Sequence, residues 1–304
     1  MTAYTQISAN RFKTWLIMLT FAFFITFVVY IFTNALGFRG PSALGFSGIA
    51  LIIAGILNFF TYYNSDKIVM TISGAKQIQK KDNPTLFRTV ENLCIASGLP
   101  MPKIYTIDDT APNAFATGRD PQHASIAFTK GILAKLSKLE LEGVTAHELS
   151  HVGNYDTRLM TIVSILVGSV ALLADWFIRI TWWGGGGDRD ENNSSNAIFM
   201  IIALVLAILA PIIAILIQLA ISRKREFLAD ASGALLTRNP DGLADALLKI
   251  SADKEPLEVA NKATAHLYIV NPFKEGHKLV GTFAGLFNTH PPIEQRVKAL
   301  RTMQ

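Results

Sequence analysis

The sequence predicts a mainly α-helical integral-membrane protein, with four hydrophobic helices and one small α+β domain. Hydrophobic residues make up 50% of the 304 residues and charged residues only 17%, and the mean hydropathy is +0.33. Such a composition is too apolar for an ordinary soluble chain of this length. Four apolar runs also have the length to cross a bilayer, which takes roughly 20 residues per helix. We therefore expect part of the chain to face lipid.

The four runs lie at about 14–36, 44–63, 159–180 and 197–221. The first is too long for a secretory signal and lacks the small-residue cleavage site, so we expect it to remain as an anchor. Pro211 lies in the middle of the fourth run. Neighbouring helices in lipid can satisfy the carbonyl that a proline frees, so we predict a kink there and not an end of the helix.

Basic residues next to these runs predict the orientation of the chain. They precede the first and third runs and follow the second and fourth: Arg11, Lys13, Lys67, Lys76, Lys80, Lys81, Arg158, Arg223, Lys224 and Arg225. Because lysine and arginine are enriched on the cytoplasmic side of membranes, both termini are expected in the cytoplasm. The glycine- and asparagine-rich stretch 184–196 is then a flexible external loop without chemistry.

This topology divides the chain into four segments. Residues 1–63 and 159–221 form two transmembrane hairpins, and residues 64–158 and 222–304 are two parts of one cytosolic domain. In the first part, Asn83-Pro84 and Gly98 begin and end a helix. Strand-like stretches at 103–107, 111–117 and 123–129 predict a small sheet. In the second part, helices are expected at 223–236, 241–251 and 292–303.

The pentapeptide from His147 to His151 has the sequence His-Glu-x-x-His. Residues four apart project from the same face of a helix, so both histidines can turn a nitrogen towards one ion, with Glu148 beside them as a candidate base. The alternative is a surface helix with two unrelated histidines. The apolar spacing of Leu139 and Val144 supports a genuine helix. We therefore predict one Zn²⁺ per chain and a third protein ligand.

We expect the third ligand in the second part of the cytosolic domain, because an ion bound by both parts would hold them together. Glu226 and Asp230 are four apart and share a helical face. One carboxylate can bind the ion while the other accepts the free N–H of a ligand histidine. We favour Glu226 as the ligand. The alternative is a solvated charged helix in which Arg225 pairs with Glu226.

The composition excludes two classes of site. Cys94 is the single cysteine, so neither an internal disulfide nor a cysteine-rich metal site can form, and a reducing compartment is indicated. The net charge of +5 is small, and no block of the sequence combines basic residues with interleaved aromatic residues. We therefore expect no nucleic-acid partner.

Several separated motifs are distinctive when taken together: the pentapeptide with Asn154-Tyr155-Asp156, the stretch from Ser222 to Asp230, Asn113-Ala114-Phe115-Ala116, and His290-Pro291-Pro292 with Arg296. Together they resemble the HtpX family, which are bacterial integral-membrane zinc metalloproteases related to the eukaryotic CAAX prenyl proteases. The resemblance covers nearly the whole chain. It implies a gluzincin-like protease domain on the cytosolic side of the inner membrane.

The resemblance also implies the roles of single residues. By position, His147, His151 and Glu226 are the zinc ligands. Glu148 is the base, and Asp230 orients a ligand without binding the ion itself. His290 resembles a downstream histidine of the family and is a candidate oxyanion donor, although it can equally cap the helix that begins at Pro292.

Asn113-Ala114-Phe115-Ala116 resembles the segment along which the family binds an extended substrate at a sheet edge. The alternative is an interior strand with Phe115 in the core. Tyr268 is a second candidate for the oxyanion donor. Three further histidines have no partner spacing and are expected on the surface: His123, His266 and His277.

The expected function is zinc-dependent endoproteolysis of misfolded or damaged membrane proteins and unfolded polypeptides under stress. One alternative is a CAAX-type prenyl-protein protease, but those relatives have more membrane spans than the four expected here. The other is a noncatalytic membrane scaffold, which would not need the complete set of two histidines and two glutamates. The sequence does not define an oligomeric state.

Overall fold

The computed structural model describes residues 3–35, 41–166, 223–260, 264–272 and 291–303. Two long helices come first, α1 (Ala3–Ala35) and α2 (Pro41–Ile72). The Trp15 and Tyr62 rings stack with centroids 5.9 Å apart, and the Asn58 side chain donates to the Met18 carbonyl at 3.3 Å. These contacts show that the two helices run antiparallel.

Helix α2 continues past the predicted boundary at residue 63. Ser65 and Asp66 end the apolar run, yet both are buried, and Lys103 pairs with Asp66 at 3.3 Å. Further along, Val69 and Met70 join the core beneath the sheet. Polar residues end an apolar run without breaking the backbone hydrogen bonds of the helix. Helix α2 therefore extends beyond the end of the apolar run.

A four-stranded mixed sheet follows: β1 (Lys76–Gln77), β2 (Lys103–Ile107), β3 (Ala114–Gly118) and β4 (Ala124–Thr129), in the order β1-β2-β4-β3. Strands β2 and β4 are parallel, and the other two pairs are antiparallel. The predicted small sheet is confirmed, with β3 as an edge strand. The two residues of β1 carry too little pattern to be predicted.

The helices around the sheet confirm the predicted ones to within a few residues. Helix α3 (Pro84–Ser97) begins after Asn83, whose side chain accepts from the Leu86 N–H, and ends at Gly98 with φ of +69°. The remaining helices are α4 (Lys130–Lys135), α5 (Lys138–Gly153), α6 (described over 156–166), α7 (Arg223–Thr237), α8 (Pro240–Ala252) and α9 (Ile293–Arg301). Helix α4 was not predicted.

Two buried clusters cover opposite faces of the sheet. Ile126 and Phe128 of β4 face the cluster that includes α3, α5 and α8, whereas Phe115 and Ala127 face the end of α2. This alternation follows from the two-residue period of side chains along a strand. The sheet therefore separates α5 from the end of α2.

A third cluster joins the first hairpin to α6, where Met18 packs among Leu159, Ile162 and Val163. Other large apolar side chains of α1 and α2 are exposed. Over the ranges that the structure describes, no helix is apolar over enough of its length to cross a membrane. The four transmembrane helices stay predictions, and most of the third and all of the fourth fall outside those ranges.

Candidate metal centre

Helix α5 carries both histidines of the pentapeptide. It begins with a capping box, in which the Ser137 hydroxyl accepts from the Glu140 N–H at 3.4 Å and the Glu140 carboxylate accepts from the Ser137 N–H at 2.7 Å. Such reciprocal bonds fix where a helix begins. His147 and His151 lie one turn apart and are both buried.

Glu226 of α7 completes a compact cluster with the two histidines. The Nε2 atoms of His147 and His151 are 3.1 Å apart. Glu226 Oε1 lies 3.6 Å from His151 Nε2, and Oε2 lies 3.8 Å from His147 Nε2. Helix α7 can come this close because of Gly233, where a Cβ would lie 3.0 Å from the backbone nitrogen of His147. The predicted ligand set is thus assembled in space.

A buried carboxylate holds the other nitrogen of each histidine. His147 Nδ1 lies 2.9 Å from Asp230 Oδ1, and His151 Nδ1 lies 3.1 Å from Asp156 Oδ2. Each Nδ1–H donates to its carboxylate, which fixes the tautomer and the ring orientation. Asp230 therefore has the supporting position predicted for it. The matching contact of Asp156 with His151 is not predicted from the sequence.

These donors fit a zinc ion. When both rings are neutral and both Nδ1–H groups are engaged, the two Nε2 lone pairs face the same point, an arrangement that favours a shared cation. Zn–N bonds of about 2.0–2.1 Å in a tetrahedral site separate two nitrogens by about 3.3 Å, close to the observed 3.1 Å. Two histidines and one carboxylate are also a ligand set that leaves a fourth position open for water in catalytic zinc sites.

Arg296 of α9 is fully buried and contacts the centre through Asp230. Its guanidinium binds both oxygens of Asp230, at 2.6 and 2.8 Å, and Nη1 donates to the Ile269 carbonyl at 3.1 Å. Nη1 also lies 3.8 Å from Glu226 Oε2. The sequence alone predicts no role for Arg296, since nothing local links it to the pentapeptide.

Glu148 lies beside the ligands and is buried. The backbone N–H of Ala116 in β3 donates to its carboxylate. Burial and the negative charge of Glu226 raise the pKa of Glu148 to about 7, against the lowering effect of His151. A carboxyl group that titrates near neutrality can both accept and return a proton, as a general base and acid must.

The pKa values of the two candidate ligand histidines are shifted in opposite directions. Burial lowers the pKa of His147 to about 4, although Asp230 opposes the shift. At His151 burial acts in the same direction, but Asp156 and Glu226 outweigh it, and the pKa rises to about 9. A ligand imidazole must be neutral, so a metal ion competes with a proton mainly at His151.

Asp230 remains ionised. Its burial favours the neutral acid, but the Arg296 guanidinium outweighs burial and lowers the pKa of Asp230 to about 2. A permanent negative charge at Nδ1 of His147 stabilises a cation bound at Nε2 of the same ring.

Residues 80–304 match the family described as Peptidase family M48. The chain belongs to this family. As an M48 peptidase it is a metalloprotease, and the matched region contains the three clustered ligands together with Glu148, Asp230 and Arg296.

Proteins described as "Protease HtpX homolog" align with nearly all of this M48 peptidase. The homolog from Dictyoglomus thermophilum is 45% identical over 304 residues, covering 99% of this chain and 95% of its own. The one from Tropheryma whipplei (strain Twist) is 45% identical over 306 residues, covering 99% and 98%. The one from Lactobacillus acidophilus is 44% identical over 311 residues, covering 99% of both. The resemblance to the HtpX family is therefore confirmed.

Among solved structures, the crystal structure of S. mikatae Ste24p superposes on this peptidase with a TM-score of 0.47 and 19% identity. The superposition covers 90% of this chain and 61% of that one.

The predicted substrate strand lies at the sheet edge, but the chain itself occupies part of that edge. The Ile269 N–H donates to the Ala114 carbonyl at 3.0 Å, and the Asn113 side chain donates to the Val270 carbonyl at 2.9 Å. The Phe115 ring is buried on the face opposite α5, as the alternative interpretation had it. Of the four residues in the motif, Ala116 contacts Glu148.

The other predicted residues are placed as follows. Tyr268 packs against Phe115, with ring centroids 5.0 Å apart, and so lies across the sheet from the ligands. The surface prediction for His266 is wrong, because this histidine is buried with Nε2 3.1 Å from Ser164 Oγ. His123 is exposed, as predicted, and pairs with Asp120. His277 and His290 fall outside the described residues.

Proposed function

We propose that this metalloprotease is a zinc endopeptidase that cleaves misfolded or damaged membrane proteins and unfolded polypeptides at the bacterial inner membrane during stress. The observation that carries the proposal is the convergence of His147, His151 and Glu226 on one point, with Glu148 held alongside. A scaffold protein would have no use for a buried base next to an assembled ligand set.

The chain's own residues account for proton transfer. A bound zinc ion would supply a Lewis acid that lowers the pKa of water and polarises a peptide carbonyl. Glu148 accepts the proton of the attacking water and returns it to the leaving amine. The Ala116 N–H keeps the Glu148 carboxylate in place for both transfers. Asp230 and Asp156 keep the ligand imidazoles oriented.

The substrate is expected along the part of β3 next to Glu148. Extended peptides bind such proteases by adding a strand to a sheet edge. Because residues 269–270 already pair with the edge at Asn113 and Ala114, we propose that the substrate backbone lies at Ala116. An extended segment of any unfolded chain meets this requirement.

Membrane association is proposed from the surface of the first hairpin. Phe12, Trp15 and Phe23 of α1 are 68%, 54% and 66% exposed, and α2 exposes Ile56 and Phe60 in the same way. Exposed apolar surface on this scale indicates contact with lipid or with another apolar surface. The further proposal is that this hairpin lies in the bilayer and that the apolar runs at 159–180 and 197–221 span it.

The test uses the full-length protein in detergent, with casein and an unfolded membrane protein as substrates. Cleavage should stop when a chelator removes the metal and return when zinc is added. The Glu148→Gln variant, purified in parallel, controls for a contaminating protease. Cleavage that survives the chelator would overturn the proposal, and preferential cleavage of a prenylated C-terminal peptide would favour the CAAX-type alternative.

Orientation is tested separately. We propose that both termini and the metal centre face the cytoplasm and that the loop around Asn193 is outside, because basic residues flank the apolar runs on one side. A reporter that is active only outside the cytoplasm should work when fused near Asn193 and fail after Gln304. The reverse pattern would overturn this orientation.

A further inference from the structure

Helix α1 reaches the metal centre through Asn10, which is buried. Its Nδ2 donates to Asp156 Oδ1 at 2.7 Å and to the Asn154 carbonyl at 3.1 Å. The other oxygen of the same carboxylate, Asp156 Oδ2, holds Nδ1 of the ligand His151. Asn10 is thus two hydrogen bonds away from a metal ligand, although the two residues are far apart in the sequence.

The same asparagine also faces the helix of the third ligand. Arg225 Nη1 donates to Asn10 Oδ1 at 3.5 Å, and Arg225 Nε lies 3.6 Å from Asp156 Oδ1. Arg225 directly precedes Glu226 in α7. One buried side chain of α1 therefore contacts groups from both parts of the chain that supply ligands.

Asn10 lies outside residues 80–304, the region that matches the M48 family. We infer that Asn10 is a positioning residue of the metal centre, which makes α1 part of the catalytic unit and not only an anchor. The inference rests on the proposed function, since it takes zinc to be the bound ion.

The physical reason is the freedom of the Asp156 carboxylate. The group can rotate about its Cβ–Cγ bond, and partners on Oδ1 help to hold Oδ2 towards His151 Nδ1. The Asn10 amide is the short contact to Oδ1, whereas Arg225 is a longer one. Groups that orient a ligand histidine typically change metal affinity by about 10–100-fold when they are removed. Asn10 acts one hydrogen bond further from the ion, and Arg225 remains near Oδ1. We therefore expect a loss at the lower end of that range, about 10-fold, when the Asn10 amide is removed.

The test compares Asn10→Leu with Asn58→Leu in the full-length protein in detergent. Asn58 is a matched control, because its side-chain amide also donates to a backbone carbonyl, that of Met18 in α1, but contacts no candidate ligand. Zinc affinity is measured by competition with a chelator, and the ligand field by the absorption spectrum of the Co²⁺-substituted protein. Asn10→Leu should weaken zinc binding about 10-fold and alter the Co²⁺ spectrum, whereas Asn58→Leu should change neither.

A second pair of variants separates positioning from folding. Asn10→Asp places a second carboxylate against Asp156 and should weaken zinc binding. Combining Asn10→Asp with Asp156→Asn exchanges donor and acceptor between positions 10 and 156. It restores that hydrogen bond, but not the one to the Asn154 carbonyl, and should recover part of the affinity lost in Asn10→Asp. Equal zinc affinity and spectrum in Asn10→Leu and the unmodified protein would overturn the inference, as would equal losses in Asn58→Leu. Failure of the unmodified protein to bind zinc would instead refute the proposed function.

Discussion

Arg296 and Asp230 form a two-point ion pair in the interior, with Nη2 2.6 Å from Oδ1 and Nε 2.8 Å from Oδ2. Asp230 Oδ1 also lies 2.9 Å from Nδ1 of His147. A single carboxylate therefore links the helix near the end of the chain, α9, to a metal ligand on α5.

Arg296→Met should destabilise the protein and weaken metal binding together. It leaves Asp230 as a buried charge without its partner, which costs about 3–5 kcal/mol of unfolding free energy. The freed carboxylate also orients His147 less well, so metal affinity should fall by about 10-fold or more. Denaturant unfolding and chelator competition measure the two effects.

Arg301→Met on the same helix is the matched control for Arg296→Met. Arg301 forms an exposed ion pair with Asp245 at 3.1 Å, so its loss should change stability by less than about 1 kcal/mol and leave metal affinity unchanged. Equal effects of the two substitutions would contradict the linking role of Arg296.

Glu148→Gln should separate catalysis from metal binding. Three protein ligands remain, so the variant should keep its metal while peptide cleavage falls by at least about 100-fold, because the proton acceptor is gone. Glu142→Gln, a substitution on the same helix at a residue paired with Lys138, should retain activity.

Glu226→Ala should lose both metal and activity, and full metal content in that variant would point to another third ligand.

Asn113→Ala should loosen the segment at residues 269–270. Asn113 donates to the Val270 carbonyl at 2.9 Å and accepts from the Val270 N–H at 3.4 Å, in a buried setting. Unpaired buried backbone groups cost about 1–3 kcal/mol each, so unfolding should occur at lower denaturant concentration. Ser125→Ala is a neighbouring control, because that buried hydroxyl has no hydrogen-bond partner among the described residues. A rise in KM without a loss of stability would instead indicate direct substrate contact by Asn113.

The clustering of His147, His151 and Glu226 was predictable because it depends on local spacing. Four-residue separations place His147 with His151, and Glu226 with Asp230, on single helical faces. The need for a third ligand then joins the two helices. Asp156 was beyond this reasoning, since it lies five residues after His151 and past the end of α5 at Gly153. A left-handed turn at Tyr155, with φ of +58°, precedes it.

Asn10, Arg296 and His266 could not be placed from the sequence in this way. Each meets its partners through tertiary packing of segments distant in the chain, as the contacts from Asn10 to Asp156 and from Arg296 to Asp230 illustrate. A lone histidine such as His266 has no periodicity that distinguishes a buried position from an exposed one. Its burial follows from α6, where Ser164 and the Met160 carbonyl lie within hydrogen-bonding distance of Nε2.

Gly143→Ala should destabilise the contact between α5 and α8. A Cβ at this position would lie 2.6 Å from the Leu243 nitrogen and 2.8 Å from its Cα, both backbone atoms that cannot move aside. Overpacking of this kind costs about 1–3 kcal/mol. Gly153→Ala on the same helix is the control, since its Cβ would meet only the Leu99 side chain at 3.6 Å. The prediction fails if the two variants unfold at the same denaturant concentration.

The Cys94 thiol should react slowly in the folded protein and make stability depend on alkaline pH. Burial raises the pKa of Cys94 to about 11, whereas an unfolded cysteine titrates near about 8.5. The thiolate is the nucleophile, so alkylation at pH 8 should be on the order of 100-fold slower than in the denatured chain.

Between about pH 8.5 and 11 the unfolded state has released the proton that the folded state keeps, so the free energy of unfolding falls as pH rises. Cys94→Ala lacks this contribution, and a steeper decline in the unmodified protein than in Cys94→Ala over that range is the expected result. Parallel declines, or rapid alkylation of the folded chain, would show that the thiol is accessible and titrates normally.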